Sequence, residues 1–287
     1  MTYRMGANAM EAQAAYELTM LKNAERYARE AGALVADRMN SPLRIQEKMN
    51  KSDLVTAVDV MSESLICRLI RDDYPEHWIY SEETDGAEGD AWQRMLQPRE
   101  GYGWIVDPID GTTNYIHAVG HFAISIGIVK NGVPVCGVVH NPLTGDLYTA
   151  MRGGGAYRNG EKLAVGQERG LGDALLGTGF QAKDWHPGSC AAKQIGRMAG
   201  TARDIRIFGS ASLDLCLVAA GRLTGFWHDG LYPWDAAAGI VIVLEAGGQV
   251  TNRDGRPYAL SDNTLIASNA IVHAELQAVL STVARDE

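Results

Sequence analysis

Two apolar runs, Phe122-Ala-Ile-Ser-Ile-Gly-Ile-Val129 and Val133-Pro-Val-Cys-Gly-Val-Val139, flank Asn131-Gly132. Asn-Gly is the residue pair that best tolerates positive φ at both central positions of a type I′ turn, whose twist matches that of the strands it joins. The two runs are therefore predicted to pair antiparallel. Gly145-Asp-Leu-Tyr-Thr-Ala, the glycines at 153 to 155 and the second turn signal at Asn159-Gly160 extend the hairpin into a meander.

Around this meander the apolar period changes. From Ala14 to Met39, Leu18, Leu21, Ala28, Ala31, Leu34, Val35 and Met39 recur near the 3.6-residue period of an amphipathic helix, which Pro42 ends. A second helix is predicted from Asp59 through Leu65, Ile66, Leu69 and Ile70, stopping before Pro75, followed by short apolar runs at Trp78-Ile-Tyr80 and Trp104-Ile-Val106. After Leu163, strand-like runs (174–177, 205–208, 265–267) alternate with helical ones (191–198, 211–220, 236–246). Such alternation points to α/β layering. An α+β first part (1–162, antiparallel-rich) and an α/β second part (163–287) are expected to be packed together, since no Pro/Gly/Ser-rich linker separates them. No internal repeat is evident.

A chain of 287 residues can bury a substantial core as one large domain or two medium ones. Its formal charge of −9 and the lack of a dense Lys/Arg cluster argue against nucleic acid as a partner. An anionic ligand would instead be met through divalent cations captured by carboxylates. Cys67, Cys136, Cys190 and Cys216 are scattered, which points to neither a zinc site nor a disulfide framework. The start of the chain has no basic segment leading into an apolar run, and no stretch reaches membrane-spanning length. A reducing, cytoplasmic setting without membrane association is the expectation.

The chemistry concentrates where the run Trp104-Ile-Val106 ends. Asp107 follows it directly, Pro108 forbids simple continuation, and Asp110-Gly111-Thr112-Thr113-Asn114 supplies turn and cap formers with free backbone N–H groups. Two carboxylates beside an anion-binding turn suit a metal and a phosphate. A phosphate monoester is a dianion, and Mg²⁺ ions offset its charge, activate the attacking water and stabilise the leaving oxygen. The plain alternative makes Asp107 and Asp110 turn residues, Asp110 capping the next helix. Glu82 and Glu83, after Tyr80-Ser81, and Asp235, in Pro233-Trp234-Asp235-Ala-Ala-Ala-Gly, add carboxylates that singly would read as a solvated loop and an N-cap.

Together these segments resemble the inositol monophosphatase family of lithium-sensitive, magnesium-dependent phosphatases, over nearly the whole chain. The family pattern D-P-[IL]-D-G-[ST]-T-N, with an upstream glutamate pair and a downstream W-D-x-A-[AG]-G, is matched at 107–114, 82–83 and 234–239. The resemblance implies a layered α-β-α-β-α sandwich, a homodimer and two to three Mg²⁺ per site. Glu82, Asp107 and the carbonyl of Ile109 would bind one metal. Asp107, Asp110 and Asp235 would bind a second, with Asp107 bridging, and a third, weaker metal near Glu82 would orient the attacking water. Thr112 and Asp59 would activate that water, and the N–H groups of Gly111 and Thr112 would hold the phosphate. Read without the resemblance, Asp59 is simply the cap of its helix.

Gly209-Ser210-Ala211 matches the segment with which the family reads substrate hydroxyls. The glutamate that the family places seven residues before the W-D aspartate is replaced here by His228. A carboxylate accepts from two vicinal hydroxyls, whereas neutral imidazole offers one acceptor and one donor. Position 228 is therefore either a substrate contact of altered specificity or a structural histidine at the rim. Asp229 is predicted to point to the opposite face of the strand. The small phosphorylated substrate stays open among inositol phosphate, histidinol phosphate, a sugar bisphosphate and a nucleotide 3′-phosphate.

Other readings fit less well. The haloacid-dehalogenase signature spaces its aspartates D-x-D and opens an N-terminal Rossmann unit. Ala123-Ile-Ser125-Ile-Gly127 lacks the first glycine and the turn of a hydrolase elbow, and Gly153-Gly-Gly155 is followed by no Lys-Ser/Thr. A reading of another class keeps the fold as a protein-interaction module with a vestigial metal site; retention of all the expected ligands opposes it.

Overall fold

A computed structural model describes residues 7–39, 45–48, 54–86 and 99–284. Helices α1 (Ala7–Arg38) and α2 (Ala57–Asp73) flank a two-stranded pair, β1 (Ile45–Glu47) and β2 (Leu54–Thr56). Helix α1 begins seven residues before the predicted Ala14, within the alanine-rich stretch preceding the first periodic leucine, and Pro42 lies outside the described residues. Helix α2 starts at Ala57, because Thr56 caps it by accepting from Val58 N, so Asp59 sits inside the first turn and not at its opening.

Next come β3 (Trp78–Ser81), α3 (Glu82–Asp85), β4 (Tyr102–Asp110), α4 (Thr112–Ile116), β5 (Ala123–Lys130), β6 (Val133–Asn141), β7 (Asp146–Met151), β8 (Gly155–Arg158) and β9 (Glu161–Lys162). The strands form one sheet of seven in sequence order. All neighbours pair antiparallel except β3 and β4. The predicted hairpin is there, with Asn131 at φ 51° and Gly132 at φ 77°, as a type I′ turn requires.

The remaining elements are β10 (Leu175–Thr178), α5 (Cys190–Met198), β11 (Asp204–Arg206), α6 (Ala211–Ala219), β12 (Gly225–Asp229), α7 (Pro233–Glu245), β13 (Gln249–Thr251), β14 (Thr264–Ser268) and α8 (His273–Ser281). Strands β11, β10 and β12 run parallel, while β14 and β13 pair antiparallel at one edge, so this five-stranded sheet is mixed. The strand expected at 205–208 ends at Arg206, and the helix expected from Ala236 starts at Pro233, whose missing N–H is no loss in a first turn.

The layers stack helix, sheet, helix, sheet, helix. Helices α1 and α2 cover one face of the larger sheet, where Ala28, Ala31, Ile66, Trp104, Val106 and Ile126 share a core. Helices α6 and α7 fill the space between the sheets, and a second core joins Tyr80, Ile105 and Val139 to Phe226 and Leu265 across them. Helices α5 and α8 close the outer face of the smaller sheet. The middle layer is thin by composition: Ala236, Ala237 and Ala238 are fully buried, and a Cβ added at Gly127 would lie 2.6 Å from Ala237 Cβ. Glycine on β5 and alanine on α7 are what permit this backbone approach.

Candidate active site

Side chains alternate along a strand, so aspartates at 107 and 110 would ordinarily face opposite ways. Strand β4 does not stop at Pro108 as expected. It continues to Asp110 with a register shift, Asp107 opposing Ser125 and Asp110 opposing Ala123. Three steps on β4 answer two on β5, which is one extra residue, and the bulge turns both carboxylates to the same side. Proline suits that position because it has no N–H to give to the ladder. Asp235, in the first turn of α7, accepts from Tyr232 N at 2.7 Å and joins them. Ligand oxygens of Asp107, Asp110 and Asp235 all lie within 4.8 Å of one another.

Glu82 opens α3 at the end of β3 and hydrogen-bonds Asp107. Two features that the sequence did not reveal fix this corner. Lys48 Nζ donates to Glu82 Oε1 at 3.0 Å and to Glu83 Oε1 at 2.7 Å, and Glu63 on α2 accepts from Glu83 N at 2.7 Å and Thr84 Oγ1 at 2.5 Å. Neither residue stands in a motif; only the fold brings them here.

Asp59 is not the N-cap of α2 but the third helical residue in its capping box, and it also meets Thr112. One oxygen accepts from Thr56 N at 2.9 Å and Thr56 Oγ1 at 2.6 Å, while the other accepts from Thr112 Oγ1 at 3.1 Å. Thr112 Oγ1 also lies 3.1 Å from the Ile109 carbonyl. Gly111, at φ 98°, is the N-cap of α4, so Asp110 does not cap it. Asp110 instead meets the start of α6, accepting from Ser210 Oγ at 2.7 Å, Ala211 N at 3.2 Å and Ser212 N at 2.7 Å. Ser212, whose hydroxyl also donates to Asp110, is a contact the sequence reading missed although it adjoins Gly209-Ser210-Ala211. Asn114 Nδ2 ties the two loops, donating to the carbonyls of His121 and Phe208 at 2.7 Å each.

The electrostatics follow from this crowding. Burial raises the pKa of Asp107 well above the usual carboxylate range, and Glu82, Asp110 and Asp235 push it further. Asp235 is raised well above its ordinary value by burial and by Asp110 and Glu82. Asp110 is raised by burial against the opposing hydrogen bonds of Ser212 and Ser210, and Asp59 by burial against those of Thr56 and Thr112. Massed buried carboxylates of this kind are a donor set for hard divalent cations, whose charge would lower the pKa of the carboxylates that hold them.

A cleft opens on both sides of the cluster. One lobe, of about 650 Å³, is lined by Lys48, Glu82, Glu83, Gly111, Thr112 and Trp234; the other, of about 490 Å³, by Asp110, Gly209, Ser210, Ala211, Phe226 and His228; both reach Asp235. His228 is thus on the cleft wall. Asp229 is turned away from it, as strand alternation predicts, and is held by Gln194 Nε2 at 2.8 Å and Arg253 Nη1 at 3.6 Å. All four cysteines are buried thiols, none of them in a disulfide. Among the described residues, no helix is long and apolar enough to cross a membrane.

The model of the inositol monophosphatase family matches residues 17–286. The chain is 39% identical to the Nus factor SuhB of Escherichia coli over 259 residues, covering 90% of this chain and 94% of SuhB. Its fold resembles that of an IMPase from Thermotoga maritima, with a TM-score of 0.81 at 32% identity over 92% of this chain and 97% of that one. It also resembles SaIMPase-II bound to inositol monophosphate, with a TM-score of 0.75 at 31% identity over 92% and 94% of the two chains. SaIMPase-II bound to 2′AMP gives the same TM-score and identity over 91% and 93%.

Proposed function

This chain belongs to the inositol monophosphatase family, and on that premise we propose that it hydrolyses a small phosphate monoester by direct attack of water, with two to three Mg²⁺ bound in the cleft. The observation that carries the proposal is the buried convergence of Asp107, Asp110 and Asp235 beside the Thr112–Asp59 hydrogen bond. In the proposal, residues 1–162 supply Glu82, Asp107, the Ile109 carbonyl and Asp110, and residues 163–287 supply Asp235 and the substrate contacts. Mg²⁺ held there supplies the positive charge that a dianionic ester and a deprotonating water need.

The chain's own residues do the rest. Thr112 Oγ1 donates its proton toward Asp59 and so presents its lone pairs to the cleft, where it can take a proton from the attacking water while passing its own to Asp59. A raised pKa makes Asp59 a better acceptor for that proton than an ordinary aspartate. Gly111 and Thr112 N–H groups hold the phosphate, and Ser210 and Ser212 keep Asp110 oriented. Lys48 holds Glu82 and Glu83 together.

SaIMPase-II with inositol monophosphate and with 2′AMP bound supports a small phosphorylated substrate. Lithium inhibition, a homodimer and a cytoplasmic location belong to the same proposal and rest on family membership. A protein-interaction role is the reading of another class, since the E. coli relative carries the name Nus factor; it leaves the buried carboxylates without a use. The test is phosphate release from inositol, histidinol, sugar and nucleotide phosphates in millimolar Mg²⁺ and in EDTA. Turnover in Mg²⁺ alone is expected. Release from none of these esters would end the phosphatase reading.

A further inference from the structure

The lobe of the cleft that carries His228 has walls of a particular kind. Phe180 and Trp185 meet edge to face, with centroids 4.8 Å apart and planes at 90°. Trp185 is 61% exposed and Ile207 50% exposed, which puts both at the rim. Deeper in, Phe226 and the His228 ring lie 6.1 Å apart with planes at 35°. Two polar groups on the same wall are already engaged: Thr178 Oγ1 donates to the Trp227 carbonyl at 2.9 Å, and Asp214 meets His121 Nε2 at 3.2 Å.

His228 differs from them. It is 6% exposed, and its Nδ1 lies 2.9 Å from the Asp229 carbonyl. A carbonyl oxygen only accepts, so Nδ1 carries the proton. Burial pushes the imidazole pKa down to about 4, which keeps the ring neutral and leaves Nε2 a bare acceptor. A Cβ at position 179 would stand 2.9 Å from Nε2, so only glycine fits beside that edge of the ring, and both residues line the lobe.

One fixed acceptor receives one donor, whereas a carboxylate receives two from a vicinal diol. The apolar faces of Phe180, Trp185, Ile207 and Phe226 offer the hydroxyls of a polyol no hydrogen-bond partner. A flat ring gains stacking on those same faces. The geometry points to a phosphate monoester whose alcohol carries a heteroaromatic ring, seated against Phe180 and Trp185 with one hydrogen-bond donor on His228 Nε2, in preference to a polyol phosphate. This rests on the phosphatase reading and concerns only the leaving group.

The experiment measures kcat/KM in Mg²⁺ for adenosine 2′-monophosphate, myo-inositol 1-phosphate and the small ester β-glycerophosphate. The wild-type protein is expected to favour the adenosine ester over the inositol ester by about tenfold, the order that one ring stack supplies. His228→Glu should move that ratio about tenfold toward the inositol ester, with His228→Gln, which stays neutral, nearer to wild type. Trp185→Ala, at the rim, should cost the adenosine ester about tenfold more than β-glycerophosphate. A wild-type preference for the inositol ester, or ratios unmoved by both His228→Glu and Trp185→Ala, would overturn the inference. Hydrolysis of β-glycerophosphate without any ring preference overturns it alone; hydrolysis of no ester overturns the phosphatase reading with it.

Discussion

Replacing Asp107 by Asn removes one charge and almost no volume, and Asn Oδ1 can still accept the Ile109 N–H that Asp107 Oδ1 accepts at 3.1 Å. The change therefore isolates electrostatics. Ligand oxygens of Asp107, Asp110 and Asp235 lie within 4.8 Å of one another; two unit charges at that separation repel by about 3.5 kcal/mol at an effective dielectric of about 20. Without divalent ions the wild-type protein escapes part of this by retaining protons, as the raised pKa values of Asp107 and Asp235 show. The gain left for the variant near pH 7 is about 1–3 kcal/mol, or a rise in Tm of about 5 °C.

The sign with pH follows from proton counts. A carboxyl whose native pKa is raised binds more protons folded than unfolded once pH exceeds its ordinary value of about 3.9, so its stabilising contribution is complete below that value and is lost as pH climbs through the raised one. In EDTA, the wild-type Tm should fall as pH climbs above the ordinary carboxylate value toward the raised ones, and Asp107→Asn should fall less, as calorimetry would record. In millimolar Mg²⁺ the order should reverse, and phosphate release by the variant should drop about a thousandfold. A variant less stable than wild type in EDTA across that range, or one with near-normal turnover, would refute the reasoning.

Thr112→Val keeps the shape of the side chain and removes the hydroxyl on Asp59, so kcat should fall about 10²–10³-fold while the Mg²⁺ concentration for half-maximal activity stays put; a defect confined to KM would contradict the proton-transfer role. Gly127→Ala forces a Cβ to within 2.6 Å of Ala237 Cβ and should cost about 1–3 kcal/mol, read as a lower urea midpoint. An unchanged midpoint would mean that α7 can move off the sheet freely.

The parts legible in the sequence are those with a local cause. Asn131-Gly132 specifies its turn through the φ values it tolerates, and the apolar period of α1 and α2 marks their buried faces except at Leu18, which is 41% exposed while Met20 is buried in its stead. Alternation on β12 foretells that His228 and Asp229 part company. What stayed hidden depends on geometry between distant segments. The bulge that aligns Asp107 with Asp110 has no sequence mark beyond Pro108. Lys48 and Glu63 reach the glutamates of α3 only because α2 and the β1–β2 pair fold over them. The mixed character of the smaller sheet arises from β14 and β13, whose short apolar runs do not reveal their direction. The motif pattern located the carboxylates; it could not show that Asp110 is steered by Ser210 and Ser212, a hundred residues downstream.

The tight seat of α7 against β5 bears on ion size. Asp235 rides on α7 and Asp107 and Asp110 on β4, and β5 links the two, with Gly127 facing Ala237 at a distance that leaves no room for even one added methyl. Helix and sheet can neither approach further nor part without opening the middle core. The spacing between the backbones that carry the aspartates is thus held by this contact. Mg²⁺ demands oxygens at about 2.0–2.1 Å in near-octahedral array, and Ca²⁺ needs a wider, more yielding cage. If the site holds Mg²⁺ as proposed, a rigid gauge of this kind would work as a caliper, with the alanines and glycines that look like filler in the sequence as its jaws.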